Sequence, residues 1–139
     1  MRLLIGFLVM SFLSGCSTSP VTEITGKPLL EARIYEKSYI APESVQLNKA
    51  TVLFLRDSGF FGSACSHDVY VNDVKVFSIR QGEKIKLALD PGRYLFRLES
   101  GGACPGVAVS QSTKLESGDN EVYRILIPSD FSLRFTRIR

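Results

Sequence analysis

The sequence predicts an all-β protein, a single antiparallel β-sandwich of about eight strands with an Ig-like or transthyretin-like plan. Three features carry that expectation. From Ala50 onward, short apolar or alternating segments are separated by turn residues. No stretch of that region sustains a helical period. With 139 residues, 45% of them hydrophobic, the chain can supply one core, and two stacked sheets, or a small partly closed barrel, bury such strand faces best.

Each strand has its own justification. "TVLFLR" (51–56) is nearly continuous apolar, as a central strand covered on both faces requires. "DVYVN" (68–72) and "VKVFSIR" (74–80) meet at Asn72 and Asp73, residue types that tolerate the positive φ of a tight hairpin. "EKIKLAL" (83–89) places Ile85, Leu87 and Leu89 on one face and Lys84 and Lys86 on the other. "DPGR" predicts a type II turn, with Pro91 fixing φ at the first corner and Gly92 supplying the positive φ at the second. "RYLFRLES" (93–100) alternates Tyr94, Phe96 and Leu98 against Arg93, Leu95 and Arg97. "GVAVSQSTK" (106–114), "NEVYRILIP" (120–128) and "FSLRFTRIR" (131–139) complete the set. Short spacings favour pairing of consecutive strands, in a meander or Greek key.

Ahead of these strands the composition changes twice. Residues 29–48 are too apolar for a pure linker and predict a short strand or helical turn packed on the domain edge. Residues 17–28, "STSPVTEITGKP", lack a steady period and read as a tether. Residues 1–15 carry one positive charge at Arg2, an apolar run from Leu3 to Leu13, and the small pair Ser14 and Gly15, the layout of a secretory signal peptide. A membrane-spanning helix needs about 20 apolar residues, more than this run offers. The expected organisation is a signal peptide at 1–15, an anchored tether with an edge element at 16–48, and the sandwich at 49–139.

"LSGC" (13–16) resembles the lipobox of bacterial lipoproteins at all four positions. The resemblance implies cleavage before Cys16, a diacylglycerol on its thiol and acylation of the new amine, with palmitate the expected chain. Several acyl chains at about 0.8 kcal/mol per buried methylene hold a protein on a membrane stably. Ser17, in place of an acidic residue, implies the outer membrane and a periplasm-facing domain, with the inner membrane or a cell surface as alternatives. From Asn48 to Leu98 the order "NKATVLFLRD", "DVYVNDVKV" and "IRQGEKIKLALDPGRYLFRL" is similar to a family of small bacterial lipoproteins built on a β-domain of unknown function. That resemblance implies a fold and transfers no catalytic residues.

Assigning Cys16 to lipid leaves Cys65 and Cys104 as a pair in an exported, oxidising setting, which reads as a disulfide, with two buried free thiols as the alternative. Such a bridge contributes about 4 kcal/mol by chain-entropy arithmetic. Both cysteines fall in Gly-rich stretches, "SGFFGSACSHD" and "ESGGACPG", expected as loops pinned together by the bridge.

The charge is mild, 17 basic against 14 acidic residues, and favours neither a nucleic-acid partner nor an acidic ligand. With one histidine, His67, and no D-x-D-x-D-G loop, no metal and no cofactor are expected. His67 and Asp68 lie near several serines, but no G-x-S-x-G context exposes a nucleophile, so a loop histidine bonding locally is the simpler reading. Asp57, Asp68, Asp73 and Asp90 fall near strand ends, where Asp serves turns. Phe60 and Phe61, adjacent aromatics between glycines, are candidate partner contacts together with His67. Arg134, Arg137 and Arg139 read as a solvated basic face, with anionic lipid as the alternative. The expectation is therefore no enzyme, but a non-catalytic binding or assembly module meeting the membrane through Cys16 and an envelope protein through its loops. The alternative is a periplasmic inhibitor of a cell-wall hydrolase such as lysozyme.

Overall fold

The structure, a computed structural model, describes residues 18–44, 47–104 and 106–139. Cys16 and the rest of the stretch Leu13-Ser14-Gly15-Cys16, expected to be a lipidation signal, lie outside the described residues. The strands are β1 (Lys27–Pro28), β2 (Ala50–Arg56), β3 (Cys65–Val71), β4 (Val74–Ile79), β5 (Glu83–Leu89), β6 (Gly92–Gly102), β7 (Ala108–Leu115), β8 (Asn120–Leu126) and β9 (Arg134–Arg137). They form two sheets, one in the order β1-β5-β2-β8-β9 and one in the order β4-β3-β6-β7. The expected all-β sandwich is present.

Phe54 is the hinge pin of the core. It projects from the middle of β2 and meets Phe77 of β4 and Phe96 of β6 edge-on, at centroid distances of 5.3 and 5.4 Å. Within its own sheet it stacks on Tyr123 at 5.5 Å and Phe135 at 6.2 Å. Aromatic pairs in these geometries add about 0.5–1.5 kcal/mol beyond the area they bury. The alternation in β5 holds, since Ile85, Leu87 and Leu89 all enter this core. So does that in β6, where Phe96 and Leu98 are fully buried and Leu95 faces out. β2 is covered on both faces, because Leu53 and Leu55 join Val21 and Val122 in a second cluster on the outer side.

Asn72 and Asp73 take φ of 47° and 67°, the left-handed pair that a two-residue hairpin between β3 and β4 demands. β4 then carries a bulge, since Val69 faces Phe77 but Tyr70 faces Lys75. Val76 is the extra residue, and its carbonyl accepts from the N–H groups of Tyr35 and Glu36 at 2.8 and 3.2 Å.

Three local expectations differ from what is found. "DPGR" is not a type II turn, because Gly92 lacks a positive φ and already pairs with Leu115 as the first residue of β6. The physical reason is that β5 and β6 belong to different sheets, so the chain crosses between layers here. The Tyr94 hydroxyl donates to the Asp90 carbonyl at 2.8 Å and braces that crossing, the arrangement of a tyrosine corner. Second, β2 pairs in parallel with β8, from Thr51 opposite Asn120 to Arg56 opposite Ile125, and β1 runs parallel to β5. Antiparallel pairs otherwise prevail. Parallel neighbours need a long crossover, and here the intervening strands of both sheets supply it.

Third, the stretch read as a tether is bonded to the sandwich from Ser19 on. Ser19 and Ser58 exchange backbone hydrogen bonds of 2.7 and 3.0 Å. Val21 is buried and its N–H donates to Asp57 Oδ1 at 2.9 Å. Residues 29–44 do pack on the domain edge as expected, through 3-10 turns at Glu31–Arg33 and Lys37–Tyr39. Leu29, Ile34, Tyr39 and Ile40 lie against the core. Ile34 bridges Phe77 in one sheet and Ile40 bridges Leu87 in the other, so this segment closes one open side of the sandwich. Arg33 locks it with a two-pronged ion pair to Glu83 and a 2.9 Å bond to the Ser78 carbonyl.

The opposite side closes through side chains. Gln111 Nε2 of β7 donates to the Phe135 carbonyl of β9 at 3.0 Å. Buried Glu121 accepts from Thr113, Tyr123 and Arg137 at 2.8, 2.8 and 2.9 Å. That hydrogen bond, after burial itself, raises the Tyr123 phenol well above its ordinary range.

Candidate functional site

The chemistry worth notice gathers at one end of the sandwich, where the β2–β3, β6–β7 and β8–β9 loops meet. The Cys65–Cys104 disulfide is formed, with Cα atoms 5.4 Å apart and 39 residues between them in sequence. The cysteines do not both sit in loops. Cys65 opens β3 and pairs with Gly102 at the end of β6, so the bridge ties a strand start to the loop leaving its neighbour. The β3–β6 pairing by itself places the two glycine-rich stretches side by side.

Beside the bridge lies a cleft of about 380 Å³, walled by Phe60, Cys65, Val107, Ile127, Phe131 and Leu133. Its rim is aromatic. Phe60 meets Phe61 edge-on at 5.6 Å, and Phe61 meets Phe131 edge-on at 5.0 Å. Phe61 is half-buried and anchors the trio, while Phe60 and Phe131 are 73% and 70% exposed. Large aromatics standing in water at a concave apolar surface are what a docking site presents.

Phe131 is held there by its backbone. Its φ is +58°, in the left-handed region that a bulky residue rarely enters. The turn around it is fixed by a Phe131 N–H bond to the Pro128 carbonyl at 3.0 Å and by Asp130 accepting from the Ser132 N–H at 3.0 Å. Backbone conformations of this kind cluster at functional sites.

Under the rim the packing is close and polar groups are buried. Gly62, with φ +68°, packs so closely that a Cβ there would lie 2.5 Å from Ile127 Cδ1. Its carbonyl accepts from Arg56 Nη2 at 3.3 Å, and the Asp57 carbonyl accepts from Arg56 Nη1 at 2.8 Å. Arg56 is 1% exposed and its Nε has no partner among the described residues. Burial lowers the Arg56 guanidinium from its ordinary value, and the Asp57 charge opposes that. Asp57, also buried, pairs with Arg124.

His67 is not the surface contact the sequence suggested. It is completely buried within β3, between Ile79 and Ser100 on the neighbouring strands, and neither ring nitrogen has a hydrogen-bond partner among the described residues. Because β3 begins at Cys65, the strand's alternation turns Cys65, His67, Val69 and Val71 inward together. Desolvation first, and the Arg56 charge second, depress His67 to about 4, against a small opposing pull from Asp68. It is neutral at physiological pH and takes no part in the exposed surface.

The remaining sequence candidates are dispersed. Asp68 pairs with Lys75 at 2.8 Å, Asp73 lies 3.7 Å from Arg97, and Asp90 lies 3.5 Å from Lys49. Among the described residues no three His, Cys, Asp or Glu side chains converge. Arg134 and Arg137 are spent on Asp130 and Glu121 at 3.1 and 2.9 Å, and Arg139 contacts Asn120 at 3.4 Å. Arg134 and Arg137 thus serve the fold's own carboxylates.

Two site residues were hidden in the sequence. The sequence pattern opens a strand at Phe131, but β9 starts at Arg134, and the "PSD" preceding Phe131 is the available turn signal. Val107 was likewise read as strand, whereas β7 begins one residue later. Among the described residues no helix is long and apolar enough to cross a membrane. No protein-family model, curated protein or solved structure matches the chain.

Proposed function

We propose that this chain is a membrane-anchored envelope lipoprotein whose sandwich acts as a non-catalytic docking module, held at the outer membrane through Cys16 and facing the periplasm. The anchor rests on the likeness of Leu13-Ser14-Gly15-Cys16 to a lipobox. The observation that carries the docking role is the exposed pair Phe60 and Phe131 on the rim of an apolar, disulfide-bordered cleft. Exposing two large aromatics forgoes about 1.5–3 kcal/mol of burial for each, a cost that a binding surface recovers on contact. The disulfide and the Arg56 carbonyl bonds hold the loops in place beforehand, so little ordering entropy is lost when a counterpart arrives.

Two measurements test this. Intact mass of the membrane-extracted protein is expected to show cleavage before Cys16 plus acyl chains, and an unacylated product would overturn the anchor. A photo-crosslinking side chain placed at position 60 is expected to form adducts in intact cells, and one at Leu95, on the far end, none. Equal yields at the two positions would overturn the assignment of the contact end.

A second reading, inhibition of a cell-wall hydrolase, draws support from the same protruding Phe60. It requires that the full chain slow lysozyme and that Phe60→Ala relieve the effect. An unchanged lysozyme rate removes it.

A further inference from the structure

The first described residue, Thr18, lies at the aromatic end of the sandwich. A Cβ on Gly59 would stand 3.2 Å from Thr18 Cγ2, and Gly59 directly precedes Phe60. The Ser19–Ser58 backbone pair and the Val21 N–H bond to Asp57 fix the chain in that position. Cys16 is two residues before Thr18, and two extended residues reach about 7 Å at most. A lipid on Cys16 therefore leaves the protein beside Phe60, Phe61 and Phe131, with no spacer long enough to carry the domain away from the surface to which it is attached.

We propose that the occupant of the aromatic end is the lipid bilayer itself, with Phe60 and Phe131 entering the interface beside the acyl chains of Cys16 and fixing the orientation of the sandwich. This rests on the lipoprotein reading above and specifies the partner of the same site. The chemistry of the end fits. Aromatic rings settle at the boundary between headgroups and hydrocarbon, and a shallow apolar cleft with exposed rings is served by a fluid apolar phase as well as by a shaped partner. A cation stands at the same end: Arg80 is exposed in the β4–β5 turn, where the next residue, Gln81, accepts from the Gly59 N–H at 3.2 Å. An arginine at this level meets phosphate headgroups while the rings below it meet acyl chains. The consequence is directional. The Asn72–Asp73 hairpin, at the other end of β3, points away from the membrane and becomes the face open to the aqueous side.

The chain contains no tryptophan, so single reporters can be placed by substitution. Full-length protein carrying Phe60→Trp, Phe131→Trp or Leu95→Trp is purified from membranes, checked for acyl mass and for an unshifted melting transition, and reconstituted into phosphatidylethanolamine–phosphatidylglycerol vesicles with brominated acyl chains. The expected result is loss of emission and a blue shift for the reporters at 60 and 131, and neither for the one at 95. An acylated protein whose reporters at 60 and 131 stay unquenched would overturn the orientation and leave the aromatic end to a protein partner. Equal quenching at 95 would overturn it as well, because the domain would then lie in no fixed pose. A protein without acyl mass would instead overturn the anchored reading beneath the proposal, a failure that the mass measurement separates from the other two.

Discussion

The Arg56 guanidinium and the His67 imidazole share the buried interior at the disulfide end of the sandwich, and the charge on Arg56 helps to keep His67 neutral. Each comes from an inward-facing position of its strand, Arg56 two residues beyond Phe54 in β2 and His67 two beyond Cys65 in β3. Below the cleft, the core thus exchanges apolar contacts for polar groups with few partners.

That relationship makes stability depend on pH in a defined direction. His67 titrates near 6.5 when unfolded and near 4 when folded, so between those values the unfolded chain binds the extra proton. Stability contributed by neutral His67 is complete above pH 6.5 and is lost as pH falls toward 4, by about 3 kcal/mol in total. Urea unfolding at pH 7 and pH 4 is expected to show that loss in the wild type and a much smaller one in His67→Leu. Equal losses in the two proteins would falsify the assignment to His67 and shift the pH dependence to other groups, Arg56 and Asp68 being the charges that act on it.

Removal of the bridge is expected to lower stability by about 2–4 kcal/mol. The check is a melting curve of Cys65→Ala/Cys104→Ala beside the oxidised wild type. Because β3 and β6 are paired along their whole common length, the variant is expected to retain its far-ultraviolet spectrum while its cleft loses definition. A spectrum of an unfolded chain would show that the strands depend on the sulfurs instead.

Gly62→Ala is expected to destabilise by about 1–3 kcal/mol. It places a side chain at φ +68° and drives a Cβ against Ile127, so the strain of a left-handed residue adds to overpacking. Gly106→Ala, in the neighbouring loop with open space around the added Cβ, is the matched control and is expected to be nearly neutral. Thermal midpoints of the two variants decide the matter.

Arg33→Leu is expected to cost about 2 kcal/mol, since it strips Glu83 of a two-pronged partner and the Ser78 carbonyl of a donor in a largely buried setting. Hydrogen exchange should report the change locally, with faster exchange at Tyr35 and Glu36, whose N–H groups bond Val76 on the β4 bulge. A uniform increase across the domain would argue against a local latch.

How much of this was legible in the sequence depended on whether a feature is local. The Asn72–Asp73 turn needs only its own φ values, and the β5 and β6 alternations need only one buried face, so all three were readable. The cysteine pair followed from arithmetic on composition. What escaped is set by distant strands. "DPGR" has the residues of a type II turn, but Gly92 answers to its pairing with Leu115 and takes an extended conformation. "STSPVTEITGKP" has a linker's composition, yet Val21 finds Leu53, Leu55 and Val122 only once β2 and β8 lie together. His67 looked exposed because its neighbours are polar, whereas the strand phase set by Cys65 turns it inward. Phe61 could be separated from Phe60 only by the position of Phe131, which arrives from a loop some seventy residues later.

The parallel pairing of β2 with β8 also sets a timetable. The strand at the centre of the larger sheet, from Thr51 to Arg56, acquires one of its two neighbours only when residues Asn120 to Ile125 exist. Until β8 and β9 are in place, Phe54 lacks Tyr123 and Phe135, and the outer face of β2 lacks Val122. Non-local pairings of this kind fold slowly because the closure entropy of the long intervening loop must be met first. Closure of the sandwich therefore waits on β8 and β9, the strands farthest in sequence from β2, which turn a collection of hairpins into a closed core.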